Sequence, residues 1–228
     1  MIEAKQKSDI MTADMPNAFV QTDVELNGDK IIMKTRGQLV NALLEICPGV
    51  HDRHVIVEGK QKILCARMLK ALHGMLLSSV LCYKKFRKDI EKIGFEVNPH
   101  DMCVANRMKD GKQHAVTWHV DDLKSSHVNP KVNDEFAEWC EKTHGSEDLG
   151  HVKVVRGKIH DCLAMIMDFT QEGASKIDVR HCIKGMLEEF PHPVKTAKTA
   201  PWTEKLLKVQ EDSKKLEEKQ RSMFHTCV

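Results

Sequence analysis

Two carboxylates stand side by side in AVTWHVDDLKSSH, residues 115–127. Asp121 and Asp122 repel one another at neutral pH, and such a pair is costly unless solvent or a cation screens it. The run before them alternates. Val116, Trp118 and Val120 share one face of a strand, while Ala115, Thr117 and His119 share the other, and Asp121 continues that second parity. A hard divalent cation takes oxygen ligands, commonly one or two carboxylates plus substrate phosphates. A third carboxylate from another strand would complete a two-metal site for phosphoryl transfer. Asp14, in ADMPNAF, also stands where a strand ends. The plain alternative for any Asp-Asp pair is an exposed turn without chemistry.

The elements that must position these carboxylates are short and mixed in type. DIMTADMPNAFVQTDV reads as a strand entering a turn at Pro16-Asn17. DKIIMKTRG is a short strand between Gly28 and Gly37. QLVNALLEICPG has helical spacing at Leu39, Leu43, Leu44 and Cys47 and stops at Pro48-Gly49. HVIVEGKQKILCAR predicts a hairpin turning at Glu58-Gly59-Lys60. SSVLCYKKFRKDIEKIGFE predicts a helix whose apolar face is Val80, Tyr83, Phe86, Ile90 and Ile93, ended by Gly94. MCVANRMKDGKQHAVTWHV is a hairpin whose Asp-Gly pair favours a type I′ turn. PKVNDEFAEWCEKTHG predicts a helix capped by Asn129, with Pro130 first and Gly145 last. HVKVVRGKIHDCLAMIMDF reads as a further hairpin, and KIDVRHCIKGMLEEF as a helix stopped by Pro191. From Lys195 the chain is rich in Lys and Glu, a linker followed by a solvated helix or disordered tail. Helices mixed with antiparallel hairpins argue for an α+β domain over residues 1–194, with a charged tail over 195–228.

The bulk numbers narrow the function classes. A formal net charge of +2 does not mark the whole chain as a polyanion binder, so nucleic acid would need a local patch. Eight cysteines include no C-x-x-C pair, which argues against a zinc ribbon and for reduced, mostly buried thiols in an intracellular compartment. The N-terminal residues carry no apolar signal segment, and no run of apolar residues is long enough to span a membrane, so neither secretion nor a membrane partner is expected. His51 and His54 have a zinc-like spacing but lie in a polar loop without a nearby cysteine, and read as surface histidines.

Five segments in order give a sharper reading. They are the D-x-x-x-A-F of Asp14, Ala18 and Phe19, then ALHG, GFEVNPHDMCV, HVDD, and EDLGHVKVVRGKI. Together they resemble the reverse transcriptases of copia-type LTR retrotransposons, which carry DVKTAFLNG-like, KALYGLKQ, GF…SDPCLY, YVDD and DLG…FLGI segments at comparable spacings. The resemblance covers roughly residues 8–228. It implies a right-hand polymerase palm with an antiparallel sheet and packed helices, partial fingers and thumb-like C-terminal helices. It implies that Asp14, Asp121 and Asp122 hold two Mg²⁺ ions, with Mn²⁺ as the substitute, for RNA-directed DNA synthesis from deoxynucleoside triphosphates on an RNA or DNA template-primer. Phe19 would lie under the incoming sugar and exclude a 2′-hydroxyl. Val120 would touch the primer end, and Lys153, Arg156 and Lys158 would meet primer phosphates.

The chain departs from the family pattern at named positions. His119 replaces the tyrosine before VDD, and His73 the tyrosine of ALYG. Leu77 stands where relatives carry a glutamine that helps hold nucleotide and template. Most of the fingers is expected upstream and the connection and RNase H downstream, in a longer pol polyprotein working in the cytoplasm, within a virus-like particle, or in the nucleus. The alternative is a non-catalytic retroelement remnant or a host-adopted module that binds nucleic acid or protein.

Overall fold

The computed structural model describes residues 2–24, 30–189 and 214–227. Strand β1 (Asp9–Asp14) is buried from Ile10 to Ala13, as its unbroken run of small and apolar residues requires. It lies between β8 (Asp122–His127) and β9 (Lys153–Gly157) and pairs antiparallel with both. β8 continues from β7 (Lys112–His119), which pairs with β6 (Val104–Lys109), and β6 pairs with β5 (Glu96–Val97). The sheet order is β5-β6-β7-β8-β1-β9. Asp110 and Gly111 close the β6–β7 hairpin with φ of 51° and 70°, the left-handed pair that the Asp-Gly sequence predicts.

Two helices cover one face of this sheet. Phe86 and Ile90 of α3 (Ser78–Lys92), and Phe136 and Cys140 of α4 (Pro130–His144), pack on Met11, Ala13, Val116, Trp118 and Leu123. Each fully buried side chain of that size contributes about 1.5–3 kcal/mol. The Asn129 side chain caps α4 by accepting from Lys131 N at 3.2 Å. On the other face a small sheet, β10 (Ile159–Cys162), β11 (Met165–Asp168) and β12 (Lys176–Asp178), is tied on by buried His160, whose Nδ1 lies 3.1 Å from Thr12 Oγ1. A third sheet, order β2-β4-β3, contains β2 (Ile32–Arg36), β3 (Val55–Glu58) and β4 (Gln61–Arg67), next to helix α2 (Gln38–Ile46). Val24, Ala71 and Leu81 form a satellite core, on which Phe19 packs. A short N-terminal helix, α1 (Ile2–Lys5), is clasped to β8 by the Glu3–Lys124 ion pair. Helices α5 (Arg180–Glu189) and α6 (Glu218–Cys227) complete the described chain. The architecture is α+β with antiparallel sheets, and no helix among the described residues is long and apolar enough to cross a membrane.

Several expectations need correction. The stretch read as one hairpin from His151 splits: β9 joins β1, and the hairpin is β10–β11, turning at Leu163-Ala164 with φ of 53° and 55°. Only Lys158 separates β9 from β10, too short a break to show from sequence where one sheet ends. Lys176–Asp178 is a strand, and the helix read from Lys176 begins at Arg180. In α3 the buried residues are Ser78, Leu81, Cys82, Phe86 and Ile90, and Val80 is exposed. Cys82, Cys140 and Cys162 are buried, Cys65 is exposed and Cys47, Cys103 and Cys182 are intermediate, so these seven thiols are free but not mostly buried. Gly28, Pro191 and the linker read from Lys195 to residue 213 lie outside the described residues.

A buried polar chain fixes α4 and β9 against the sheet. Arg107 Nε donates to His114 Nδ1 at 3.2 Å, which leaves His114 Nε2 to donate to Ser125 Oγ at 2.7 Å. Ser125 donates to Asn133 Oδ1 at 2.8 Å, and Asn133 Nδ2 donates to the Asp9 carboxylate at 2.7 Å. Arg156 closes the chain on the same carboxylate at 2.6 Å. Burial, followed by the positive field of Arg107, pushes the His114 pKa down to about 3, so the imidazole is neutral and keeps a single tautomer.

Candidate active site

The antiparallel register places the carboxylates at one end of the main sheet. Asp14, the last residue of β1, is the direct partner of Asp122, the first of β8. His119 pairs with Asp122, so Val120 and Asp121 alone make the turn between β7 and β8. Met15 N donates to the Asp121 carbonyl at 2.9 Å and fastens that turn to the chain leaving β1. The strand parity read from the sequence therefore holds through His119 and ends at the turn.

The electrostatics are those of crowded anions. Burial, together with the charges of Asp121, Asp14 and Asp161, raises the Asp122 pKa, and a hydrogen bond from Leu163 N at 3.3 Å offsets part of this. Asp161, on β10, is a nearby acid that the motif reading did not include. Lys153 Nζ lies 3.8 Å from Asp14 Oδ2, and with the lysine side chain 83% exposed this pair is worth little. Among the described residues no three His, Cys, Asp or Glu side chains converge closely enough to hold a metal ion. The donor set is nonetheless of the right chemistry. Asp14, Asp121 and Asp122 offer hard carboxylate oxygens on adjoining backbone positions, and a cation would relieve the repulsion that raises Asp122.

Val120 sits at φ 57°, a left-handed conformation that a β-branched residue rarely adopts. The local cost is about 1–2 kcal/mol. Val120→Gly is therefore expected to stabilise the fold by about 0.5–1 kcal/mol in urea unfolding, after allowing for glycine's entropy. A loss of stability would show that valine's packing outweighs its strain.

Cavities flank the turn on two sides. A cavity of about 400 Å³ is lined by Asn17, Phe19, His73, His119, Val120 and Asp121. A groove of about 410 Å³, nearly all apolar, shares His119 and Val120 and is walled by Val80, Tyr83, Met102 and Trp118. Phe19 thus stands in the wall of the first cavity, its ring centroid 5.5 Å from that of His73. Leu77 does not line this cavity. It is exposed at the N-terminal boundary of α3, whereas His73 of the same loop is among the residues that line the cavity. Arg156 is tied to Asp9 and, at 2.9 Å, to Asp134, while Lys153 lies beside Asp14 and Lys158 is exposed. The three basic residues therefore do not form one common surface group.

No family profile matches the chain, and no curated protein matches it. Among solved structures the chain is similar to telomerase from Candida albicans in complex with the TWJ fragment of telomeric RNA, with a TM-score of 0.39 and 11% identity. The match covers 79% of this chain and 35% of that one. At that distance the likeness assigns neither a fold family nor an activity.

Proposed function

We propose that this chain is the palm, with part of the fingers, of a copia-type reverse transcriptase, and that it extends a primer with deoxynucleotides on an RNA or DNA template. The observation that carries the reading is the Asp14–Asp122 register with Asp121 in the adjoining two-residue turn. It accounts for a repulsive carboxylate pair at a strand end beside a cavity of nucleotide size. Asp14, Asp121 and Asp122 would hold Mg²⁺ or Mn²⁺, which when bound lowers the pKa of a primer hydroxyl and balances triphosphate charge. Phe19, anchored on Val24, Ala71 and Leu81, presents a fixed ring to the cavity and limits what the sugar can carry. Val120 borders the cavity and would support the primer end. Lys153, exposed beside Asp14, is the basic side chain at this end of β9 open to primer phosphates, whereas Arg156 holds β9 in place and Lys158 stands at the far end of β1, beside Ser8 and Phe169.

Primer extension on an oligo(dT)-primed poly(rA) template, with the Asp121→Asn variant as control, tests this reading. Phe19→Ala is expected to raise ribonucleotide use relative to deoxynucleotide use by about tenfold or more, since the discrimination is steric. Unchanged discrimination would remove Phe19 from that role. A non-catalytic nucleic-acid-binding remnant is the second reading, favoured by the side chains of the three aspartates not converging and by the Lys153–Asp14 pair. It predicts template binding with no extension.

A further inference from the structure

We infer that Gln21 is a positioning residue for sugar selection: its side chain holds the turn of Phe19 against the end of α4 and so fixes where the aromatic ring stands in the cavity beside Asp121. The inference rests on the polymerase reading and extends the selection to a side chain that is not among those lining the cavity. A steric filter discriminates only while its wall stays in place, and misplacement by about 1 Å is enough to change which substrate reacts. The satellite core of Val24, Ala71 and Leu81 supports the ring from one side. The backbone that carries the ring needs an anchor of its own.

That backbone is one hydrogen-bonded turn. Gln21 N donates to Asn17 O at 3.2 Å, Thr22 N to Phe19 O at 2.9 Å, and Thr22 Oγ1 to Ala18 O at 3.1 Å. Such a unit moves as a whole, and its place is set by what fastens it from outside. Gln21 Nε2 donates to Pro16 O at 2.6 Å, which closes the turn on its own start. It also donates to His144 O at 2.7 Å, which binds the turn to the last residue of α4. A side-chain amide has two N–H donors, and both are used here. The end of α4 is a firm anchor, because His144 is buried with its ring 5.7 Å from those of both Phe86 and Trp139. Asn17 Nδ2 adds a tie to Leu149 O at 2.8 Å, in an exposed place where water competes for the same groups. The Gln21 bonds are part-buried, and shielding from water makes them the stronger ties.

The test is extension of oligo(dT) on poly(rA) by the full chain with Mg²⁺, measuring kcat/KM for dTTP and for UTP. Methionine keeps the length of the side chain and has no donor. Gln21→Met is therefore expected to lower the dTTP/UTP ratio about threefold to tenfold, through better use of UTP. Gln21→Asn, one methylene shorter, reaches at most one of the two carbonyls and should fall between wild type and Gln21→Met. It also carries the test if Gln21→Met does not fold, and thermal midpoints on the same preparations separate loss of fold from loss of selection. Combining Gln21→Met with Phe19→Ala should lower the ratio no further than Phe19→Ala alone, because both act through one ring. A merely structural glutamine would lower extension with both nucleotides by the same factor. An unchanged ratio in the Gln21 variants, or a full additional loss in the double variant, would overturn the inference and leave the polymerase reading standing. Failure of wild type to extend the primer with either nucleotide would overturn both.

Discussion

Asp121→Asn is expected to abolish metal-dependent primer extension, with a loss of at least about 10³-fold, on the order of removing a principal charge-stabilising group from an active site. The substitution preserves size and removes one negative charge from the turn that Met15 N fastens to β1. Its folding consequence runs the other way. Asp121 is one of the charges, after burial, that raise the Asp122 pKa, so removing it relieves like-charge repulsion. Stability at neutral pH should be unchanged or slightly higher. A purely structural aspartate would show the reverse, lower stability with activity lost only through unfolding. The decisive comparison is extension and urea unfolding on the same preparations. Extension by wild type but not by Asp121→Asn, with equal or greater stability in the variant, supports the metal-site role. Equal extension by both would remove Asp121 from the chemistry. Absence of extension in wild type would favour the non-catalytic reading.

What the sequence made legible follows the range over which each signal acts. Asp110-Gly111 dictates a left-handed two-residue turn, and Asn129-Pro130 dictates a helix start, because the cause lies within the residues concerned. The pairing of β9 was not legible, because its partner is β1, more than a hundred residues earlier, and alternation is the same whichever strand lies beside it. The same limit hid the chain His114–Ser125–Asn133–Asp9. Each residue looks like an ordinary surface polar group until the sheet and α4 bring them together. Ordered motifs singled out Asp14, Asp121, Asp122 and Phe19; the register brings Asp14 beside Asp122, next to the turn that carries Asp121, and Asp121 and Phe19 line the adjoining cavity. Leu77 was assigned by motif position, which cannot tell which way a loop presents its side chains. The loop before α3 turns His73 to the cavity and leaves Leu77 outside it.

The buried histidines are expected to make this fold acid-labile well above the pH at which carboxylates alone would do so. Burial, with Arg107 and other cations adding, holds His114 down at about 3. Burial, with Lys85 adding, holds His144 down at about 4. Burial also lowers His160. In the unfolded chain an ordinary histidine binds its proton near pH 6.5. The unfolded state therefore takes up protons first as pH falls. The full stability is present above about pH 6.5 and is lost progressively as pH drops towards the folded values of about 3 and 4. Each unit of displacement carries about 1.4 kcal/mol, so even with a generous discount the histidines together remove a few kcal/mol, a large share of the ~5–15 kcal/mol that holds a domain folded. Asp122 opposes this, since its raised carboxyl gains a proton favourably on acidification, but one part-buried acid does not balance several deeply buried imidazoles. The midpoint of urea unfolding should fall steeply between about pH 6 and pH 4.5. His114→Gln should weaken the fold at neutral pH by about 1–2 kcal/mol, because the amide fits the Arg107 and Ser125 hydrogen bonds less well. It should also flatten the acid slope, because the amide cannot take up the proton. An unchanged slope in the variant would mean that His114 is not the dominant acid trigger and would pass that role to His144, whose Nδ1 accepts from Lys85 at 3.4 Å at the end of α4.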